Sequence, residues 1–114
     1  INRMRDCLDK YGDKFARRIL TDREFSEFAG KQNKPAFLAK RFAAKEATAK
    51  AMGTGFSHGL SLHHIGVNND EAGKPVLEFL NVADEFLKDN KIKQMHLSLA
   101  DEKDYAVAFV TLVL

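Results

Sequence analysis

The chain has 114 residues, of which 45% are hydrophobic, and a formal net charge of +2. This length fits one domain, and a chain of this size buries about two-thirds of the surface that its unfolded state exposes. The single cysteine, Cys7, excludes a disulfide within these residues and a zinc site built from several cysteines. No apolar run approaches the ~20 residues that span a bilayer. We therefore expect one cytoplasmic domain over residues 1–114, with no membrane partner.

The charges are unevenly distributed along the chain. Residues 1–50 hold 13 Lys and Arg with 7 Asp and Glu, whereas residues 51–114 hold 5 and 9. A basic half predicts an anionic partner, which could be a nucleic acid, a phosphate-bearing ligand or an acidic protein. A solvated basic helix face would give the same distribution, so both interpretations stay open at this point.

Helical patterns dominate the first half of the sequence. Apolar residues three and four positions apart predict an amphipathic helix over residues 1–15, with a break expected near Gly12. Thr21 followed by Glu24 is a capping-box pattern, which predicts the start of a second helix that ends near Gly30.

The longest predicted helix begins after Asn33, whose side chain suits an N-cap. Pro35 lies in its first turn, where proline is tolerated. The helix runs to about Met52, and Gly53 supplies the stop. Alanine, lysine and glutamate dominate its second half, and all three are strong helix formers.

The second half of the sequence is richer in strand patterns. Alternation and apolar runs predict strands at residues 60–67, 76–79, 95–100 and 105–114. Asn81 is expected to cap a short helix that runs through Lys91. The last strand is almost wholly apolar, so we expect it to be central and covered on both faces. Helices followed by mostly antiparallel strands predict an α+β domain, with N-terminal helices and one long central helix packed on the sheet.

The long helix combines residue types that suit a diphosphate and a divalent metal. Glu46 and Lys50 are one turn apart on one face, and Arg41 and Lys45 are one turn apart on a neighbouring face. Magnesium takes carboxylate and phosphate oxygens, and lysine or arginine neutralises phosphates. Glycines in the loop at residues 53–55 would let backbone N–H groups approach a ligand. A plain ion pair from Glu46 to Lys50, worth ~0.2–0.5 kcal/mol, would explain the same spacing without any ligand.

The residues in full resemble one family. The segment at residues 37–55 reads FLAKRFAAKEATAKAMGTG and is similar to the signature of the holo-[acyl-carrier-protein] synthases, which are small phosphopantetheinyl transferases. The segments FARRILTDREF (residues 15–25), NDEAGKP (69–75) and MHLSLADEKDYAVA (95–108) resemble further parts of that family. The resemblance covers nearly the whole chain, in order.

The resemblance implies an activity and its participants. Such enzymes move 4′-phosphopantetheine from coenzyme A to a serine of apo acyl carrier protein, with magnesium as cofactor, and release adenosine 3′,5′-bisphosphate. The family is typically a homotrimer with active sites between subunits. The resemblance also implies an N-terminal strand whose aspartate is the second metal ligand. That aspartate is expected before Ile1, so residues 1–114 are expected to lack this strand.

The resemblance assigns roles to individual residues. Glu46 matches the metal-binding glutamate, and Lys50 matches the lysine that meets the diphosphate, so both are expected to serve catalysis. Coenzyme A is expected to contact Arg41, Lys45, Lys50, Gly53, Gly55 and His96. The acidic carrier protein is expected to contact Arg3, Lys14 and Arg18.

Two rival interpretations remain from the residues alone. A basic nucleic-acid-binding domain or an interaction domain without catalysis would fit the charge distribution, but no nucleic-acid motif occurs and the sequence pI is only about 8.7. A transition-metal site at His58, His63 and His64 is disfavoured, because adjacent residues on a strand point to opposite faces.

Overall fold

The computed structural model describes residues 1–57, 59–102 and 104–114 and confirms the predicted α+β class. Its helices are α1 (Asn2–Tyr11), α2 (Asp13–Ile19), α3 (Asp22–Phe28), α4 (Lys34–Ala51) and α5 (Val82–Asp89). Its strands are β1 (Ile65–Asn69), β2 (Pro75–Phe79), β3 (Gln94–Asp101) and β4 (Ala106–Val113), and a 3-10 helix (Leu62–His64) precedes β1. No helix in the described ranges has the length and apolarity to cross a membrane.

The break between α1 and α2 and the starts of α3 and α4 follow local signals that the sequence carries. Gly12 separates α1 from α2, as expected. The capping box at α3 is complete, because the Glu24 N–H donates to Thr21 Oγ1 (3.2 Å) and the Thr21 N–H donates to Glu24 Oε1 (2.9 Å). Asn33 caps α4 through its side-chain oxygen, which accepts a hydrogen bond from the first turn. Each of these signals acts within a few residues of the chain, so the sequence alone predicts it.

Helix α4 forms the centre of the fold. Its N-terminal half contributes Phe37 and Leu38 to an apolar cluster that includes Phe28 of α3. Its C-terminal half packs through Ala44 against Val67 of β1 and Leu97 of β3. Because alanine side chains are short, the strands can lie close to this half of the helix. Of the described elements, β4 is the one that α4 contacts most extensively.

The strands form two antiparallel pairs, β1 with β2 and β3 with β4, as predicted for a mostly antiparallel sheet. In the first pair Val67 lies opposite Leu77, and in the second Leu97 lies opposite Val110. These residues face the side of the strands on which α4 packs.

The prediction that the last strand is central and covered on both faces is wrong for this chain. β4 pairs with β3 alone among the described strands, and every second residue along it is exposed. Phe109 retains 72% of its surface, and Val107 and Val113 are also exposed. The strand is largely apolar on both faces, but the described elements of this chain cover only one of them.

Two further predictions around the strands need correction. Residues 60–64 do not extend β1, because Ser61 starts the 3-10 helix: its hydroxyl accepts from the His63 N–H, and its own N–H donates to His64 Nδ1. Asn81 precedes α5 with a positive φ of 51°, and its side chain makes no capping hydrogen bond within the described residues. The short helix itself is present, and it ends before Lys91.

Candidate active site

The outward face of α4 carries the predicted catalytic pair. Glu46 is half-buried and Lys50 is exposed. Neither side chain takes part in an ion pair within residues 1–57, 59–102 and 104–114, so the helical ion pair that would have explained their spacing does not form there. Both charged groups therefore remain available to a ligand.

The structure places Lys45 in the interior, which corrects the expectation of a lysine on the phosphate-binding surface. Lys45 has no exposed surface. Its ammonium donates to Glu24 Oε1 (2.7 Å), to the Leu62 carbonyl oxygen (2.9 Å) and to the Ile65 carbonyl oxygen. An ammonium has three N–H donors. All three are thus used inside the chain, and none remains for a phosphate.

The burial of Lys45 also affects its titration. Burial lowers the pKa of the Lys45 ammonium from its ordinary value, because the charged form loses hydration. The negative charge of Glu24 and its hydrogen bond to the ammonium oppose that change. The ion pair is therefore a balance between desolvation and attraction, as is general for buried pairs.

Arg41 is also buried, but it borders a cavity. Its Nη2 lies 3.2 Å from Glu27 Oε2, its Nε lies 3.9 Å from Glu24 Oε2, and its guanidinium stacks over the Phe37 ring with 4.4 Å to the centroid. The Nε has no hydrogen-bond partner among the described residues. The cavity, of about 300 Å³, is also bordered by Lys31 and Lys40. Asp101 borders it as well and lies 3.4 Å from Lys40 Nζ, so an anionic group in this cavity would share its cations with carboxylates.

The loop after α4 lies next to Lys50 in sequence and has the backbone shape that glycine permits. Gly53 and Gly55 have φ values of 80° and 57°, and a side chain at either would be strained. The Gly55 N–H donates to the Ala49 carbonyl oxygen at 3.2 Å, which folds the loop back over the end of the helix. The residues predicted to form a wall of the ligand pocket thus make a tight turn at the end of α4, with positive φ values at both glycines.

His96 lies apart from these groups. Its neighbour Leu97 is buried in the cluster that contains Ala44 of α4. Because side chains alternate along a strand, His96 is on the face of β3 that points away from α4, and it is exposed there. The face of α4 and the face of β3 that carry predicted ligand residues are therefore separate surfaces of one chain.

The predicted carrier-binding residues are on the first two helices. Arg3, Lys14 and Arg18 are all exposed. Lys14 and Arg18 border a cavity of about 440 Å³ together with Tyr11 and Phe15. The recess therefore places two cations beside two aromatic rings. This combination suits an acidic partner that also makes an apolar contact.

Sequence reasoning missed the role of Glu24 beyond its helix cap. Its second carboxylate oxygen accepts from the Val67 N–H at 2.9 Å, in addition to its contacts with Thr21 and Lys45. Glu24 is thereby buried at the junction of α3, α4 and β1. The lysine partner is 21 residues away in sequence. No local pattern could have revealed the pair.

The histidines other than His96 offer no metal centre in the part of the chain that the structure describes. His63 Nε2 contacts the Arg17 carbonyl oxygen (2.7 Å), and His64 accepts from a backbone N–H. His58 lies outside the described residues. No group of three or more His, Cys, Asp or Glu that could hold a metal occurs among the described residues. Cys7 is half-buried and unpaired there.

Comparisons with known proteins agree on one family. The sequence model of the 4′-phosphopantetheinyl transferase superfamily matches residues 1–110. The holo-[acyl-carrier-protein] synthase of Nitrosococcus oceani is 52% identical over 113 residues, which cover 99% of this chain and 73% of that relative. The crystal structure of the Neisseria meningitidis synthase superimposes with a TM-score of 0.91 at 40% identity, covering 97% of this chain and 89% of that one.

A further crystal structure contains a ligand. It is a holo-(acyl-carrier-protein) synthase from Bacillus anthracis in complex with CoA (3′,5′-ADP), with a TM-score of 0.79 and 39% identity over 97% of this chain and 86% of that one. The sequence match, the identity to named relatives and the shared fold all cover nearly the whole chain. The chain therefore belongs to the 4′-phosphopantetheinyl transferase superfamily, among its holo-[acyl-carrier-protein] synthases.

Proposed function

We propose that this protein transfers 4′-phosphopantetheine from coenzyme A to a serine of apo acyl carrier protein. The serine oxygen forms a bond to the β-phosphorus of the coenzyme A diphosphate. The bond from that phosphorus to the oxygen that bridges the two phosphorus atoms breaks, adenosine 3′,5′-bisphosphate leaves with the bridging oxygen, and the serine proton passes to the solvent. One observation carries the proposal, which is that Glu46 and Lys50 lie together and unpaired, within the described residues, on the outward face of α4.

The cations of the chain suit the charges of the substrate. Lys50 is exposed beside the loop of Gly53 and Gly55, where it can meet the diphosphate. Arg41 and Lys40, in the first half of the helix, border a cavity where they lie 3.2 and 3.4 Å from carboxylate oxygens of Glu27 and Asp101, and a nucleotide phosphate bound there would compete with those carboxylates. Fixed cations near developing charge on phosphate oxygens lower the barrier of phosphoryl transfer by electrostatics and positioning.

Magnesium fits the donor that the chain supplies. The carboxylate of Glu46 is a hard oxygen ligand on an accessible face, and no described ion pair engages it. Mg²⁺ is usually bound by one or two carboxylates with substrate phosphates and waters. When bound, the ion would neutralise charge on the diphosphate. We propose Glu46 as its protein ligand in this chain.

A direct assay tests the function. The protein is incubated with apo acyl carrier protein, coenzyme A and magnesium, and the intact mass of the carrier is followed. We expect the carrier to gain the mass of one phosphopantetheine and the small product to be adenosine 3′,5′-bisphosphate. An unchanged carrier mass would refute the function while leaving the fold assignment in place.

We also propose that the protein acts in the cytoplasm as a homotrimer. The exposed apolar face of β4, with Val107, Phe109 and Val113, supports self-association, because such a row of side chains is costly to leave in water. The position of His96 on the face away from α4 supports a site shared between copies, to which one copy supplies Glu46 and another His96.

Replacing Phe109 by Asp is expected to break the assembly, because a carboxylate at this exposed position would be buried without a partner in an apolar interface. Light scattering after gel filtration should show the mass of a single chain. Tyr11→Asp, which changes another exposed aromatic residue on α1, should leave the assembly intact. A wild-type mass for the Phe109→Asp protein would exclude β4 as the interface.

Reversing the charges of Arg3, Lys14 and Arg18 to Glu should weaken carrier binding by about tenfold or more at low salt, and by less at high salt, because exposed charges are screened. The Kd for coenzyme A should be unchanged. Titration calorimetry with each ligand separates the two effects. Lys88→Glu, an exposed change on α5, is the control. Equal loss of both affinities would argue against a dedicated carrier surface.

A further inference from the structure

A buried polar network joins α4 to three other elements. It meets the proposed site at Arg41, whose Nε lies 3.9 Å from Glu24 Oε2. Glu24 lies at its centre, with 1% of its surface exposed. Its carboxylate accepts from the Thr21 N–H, from Lys45 Nζ and from the Val67 N–H, at 2.9, 2.7 and 2.9 Å. Through these contacts the carboxylate connects α3 to both α4 and β1.

The ammonium of Lys45 extends the same network. It donates to the Leu62 carbonyl oxygen at the start of the 3-10 helix and to the Ile65 carbonyl oxygen at the start of β1. Lys45 immediately precedes Glu46, so the two side chains leave α4 about 100° apart. Because the helix is rigid, the inward position of Lys45 sets the direction in which Glu46 points.

Packing alone specifies this half of α4 weakly. The buried residues on the last turns of α4 include Ala44, Thr48 and Ala49, whose side chains are short. Hydrogen bonds are directional, and a buried polar contact can fix register where apolar packing leaves it loose.

We propose that Glu24 is a positioning residue: by holding Lys45 it fixes the rotation of α4, and so it directs Glu46 and Lys50 together toward the substrate. The catalytic part of this inference rests on the function proposed above. Shifts of about 1 Å at a reacting group can change rates by ~100-fold. A small rotation of α4 would therefore lower the rate of transfer even though the fold persists.

The test compares two variants of α3. Glu24→Asp keeps the charge that Lys45 needs but shortens the reach of the carboxylate. Phe28→Leu is the matched control, because Phe28 lies on the same helix and is also 1% exposed. Its side chain belongs to the apolar cluster and has no hydrogen-bonding group. Both are assayed at a temperature at which circular dichroism shows them folded. If Glu24→Asp fails to fold, Lys45→Gln replaces it, since the amide keeps two of the N–H donors.

Kinetics and hydrogen exchange give separate readouts. Loss of folded protein lowers the apparent kcat but leaves the KM unchanged. For Glu24→Asp we expect kcat to fall by about tenfold or more, and the KM for coenzyme A to rise, because Lys50 moves with the helix. Amides of residues 45–51 should exchange about tenfold faster than in Phe28→Leu.

Each outcome decides the matter. Similar kcat and KM values for Glu24→Asp and Phe28→Leu, or equal exchange in residues 45–51, would overturn the positioning role. If the wild-type protein transfers nothing to the carrier, the proposed function fails, and the exchange of residues 45–51 then decides the positioning role alone.

Discussion

Replacing Glu46 by Gln should reduce phosphopantetheine transfer by at least about a hundredfold, the scale expected when one group that stabilises transition-state charge is removed. The amide keeps the size of the side chain but lacks the negative charge that attracts a divalent cation. The carboxylate is half-buried on the outward face of α4 and takes part in no ion pair among the described residues, so its loss should not disturb the fold. Initial rates of carrier mass gain, measured at saturating coenzyme A, give the effect.

Glu85→Gln is the matched control for that experiment. It makes the same chemical change at an exposed position of α5, on which no part of the proposed site depends. We expect its rate to stay within about twofold of wild type, as is usual for surface substitutions away from special features. Transfer that persists in Glu46→Gln would keep the function but remove Glu46 from the site.

Replacing Lys45 by Met should lower the free energy of unfolding by about 3–5 kcal/mol, the range for removing one partner of a buried ion pair. The variant leaves the carboxylate of Glu24 buried without its ammonium, and it leaves the Leu62 and Ile65 carbonyl oxygens without that donor. Methionine fills much of the same volume, so the loss reports on the polar contacts rather than on a cavity. Urea unfolding should be followed at one fixed protein concentration, because self-association would add to stability.

Lys50→Met on the same helix is the control, because it makes the same chemical change at an exposed position. The change is identical, but Lys50 is exposed, and we expect the free energy of unfolding to stay within about 0.5 kcal/mol of wild type. The two variants should thus differ in stability by several kcal/mol. If Lys45→Met is no less stable than Lys50→Met, the buried pair is not a main contributor to folding.

Much of the fold could be predicted because its signals are local. The caps at Thr21 and Asn33 act within one helical turn, so the sequence sets these boundaries without help from the rest of the chain. The 3-10 helix escaped prediction because an apolar and β-branched run around Ile65 looks like one strand, and only the contacts of Ser61 interrupt it. The exposed face of β4 escaped because the sequence of an almost wholly apolar strand does not show which neighbours cover it.

The candidate site divides in the same way. Periodicity places Glu46 and Lys50 on one face of a helix, and the structure agrees. Periodicity also places Arg41 and Lys45 together on a neighbouring face, but it cannot tell whether that face meets water or another element. The answer depends on Glu24, which lies 21 residues before Lys45 and is brought to it only by the tertiary fold.

The exposed edge of β4 has a consequence for a newly synthesised chain before it assembles. β4 presents unpaired backbone groups along one side and an outward row of apolar residues, Val107, Phe109 and Val113, in the part of the chain that the structure describes. Such edges pair readily with other strands, in wrong registers as well as right ones. Until this surface is covered, each nascent chain is exposed to misassembly at a rate that rises with its own abundance. Slow synthesis at low temperature should therefore favour soluble protein over inclusion bodies.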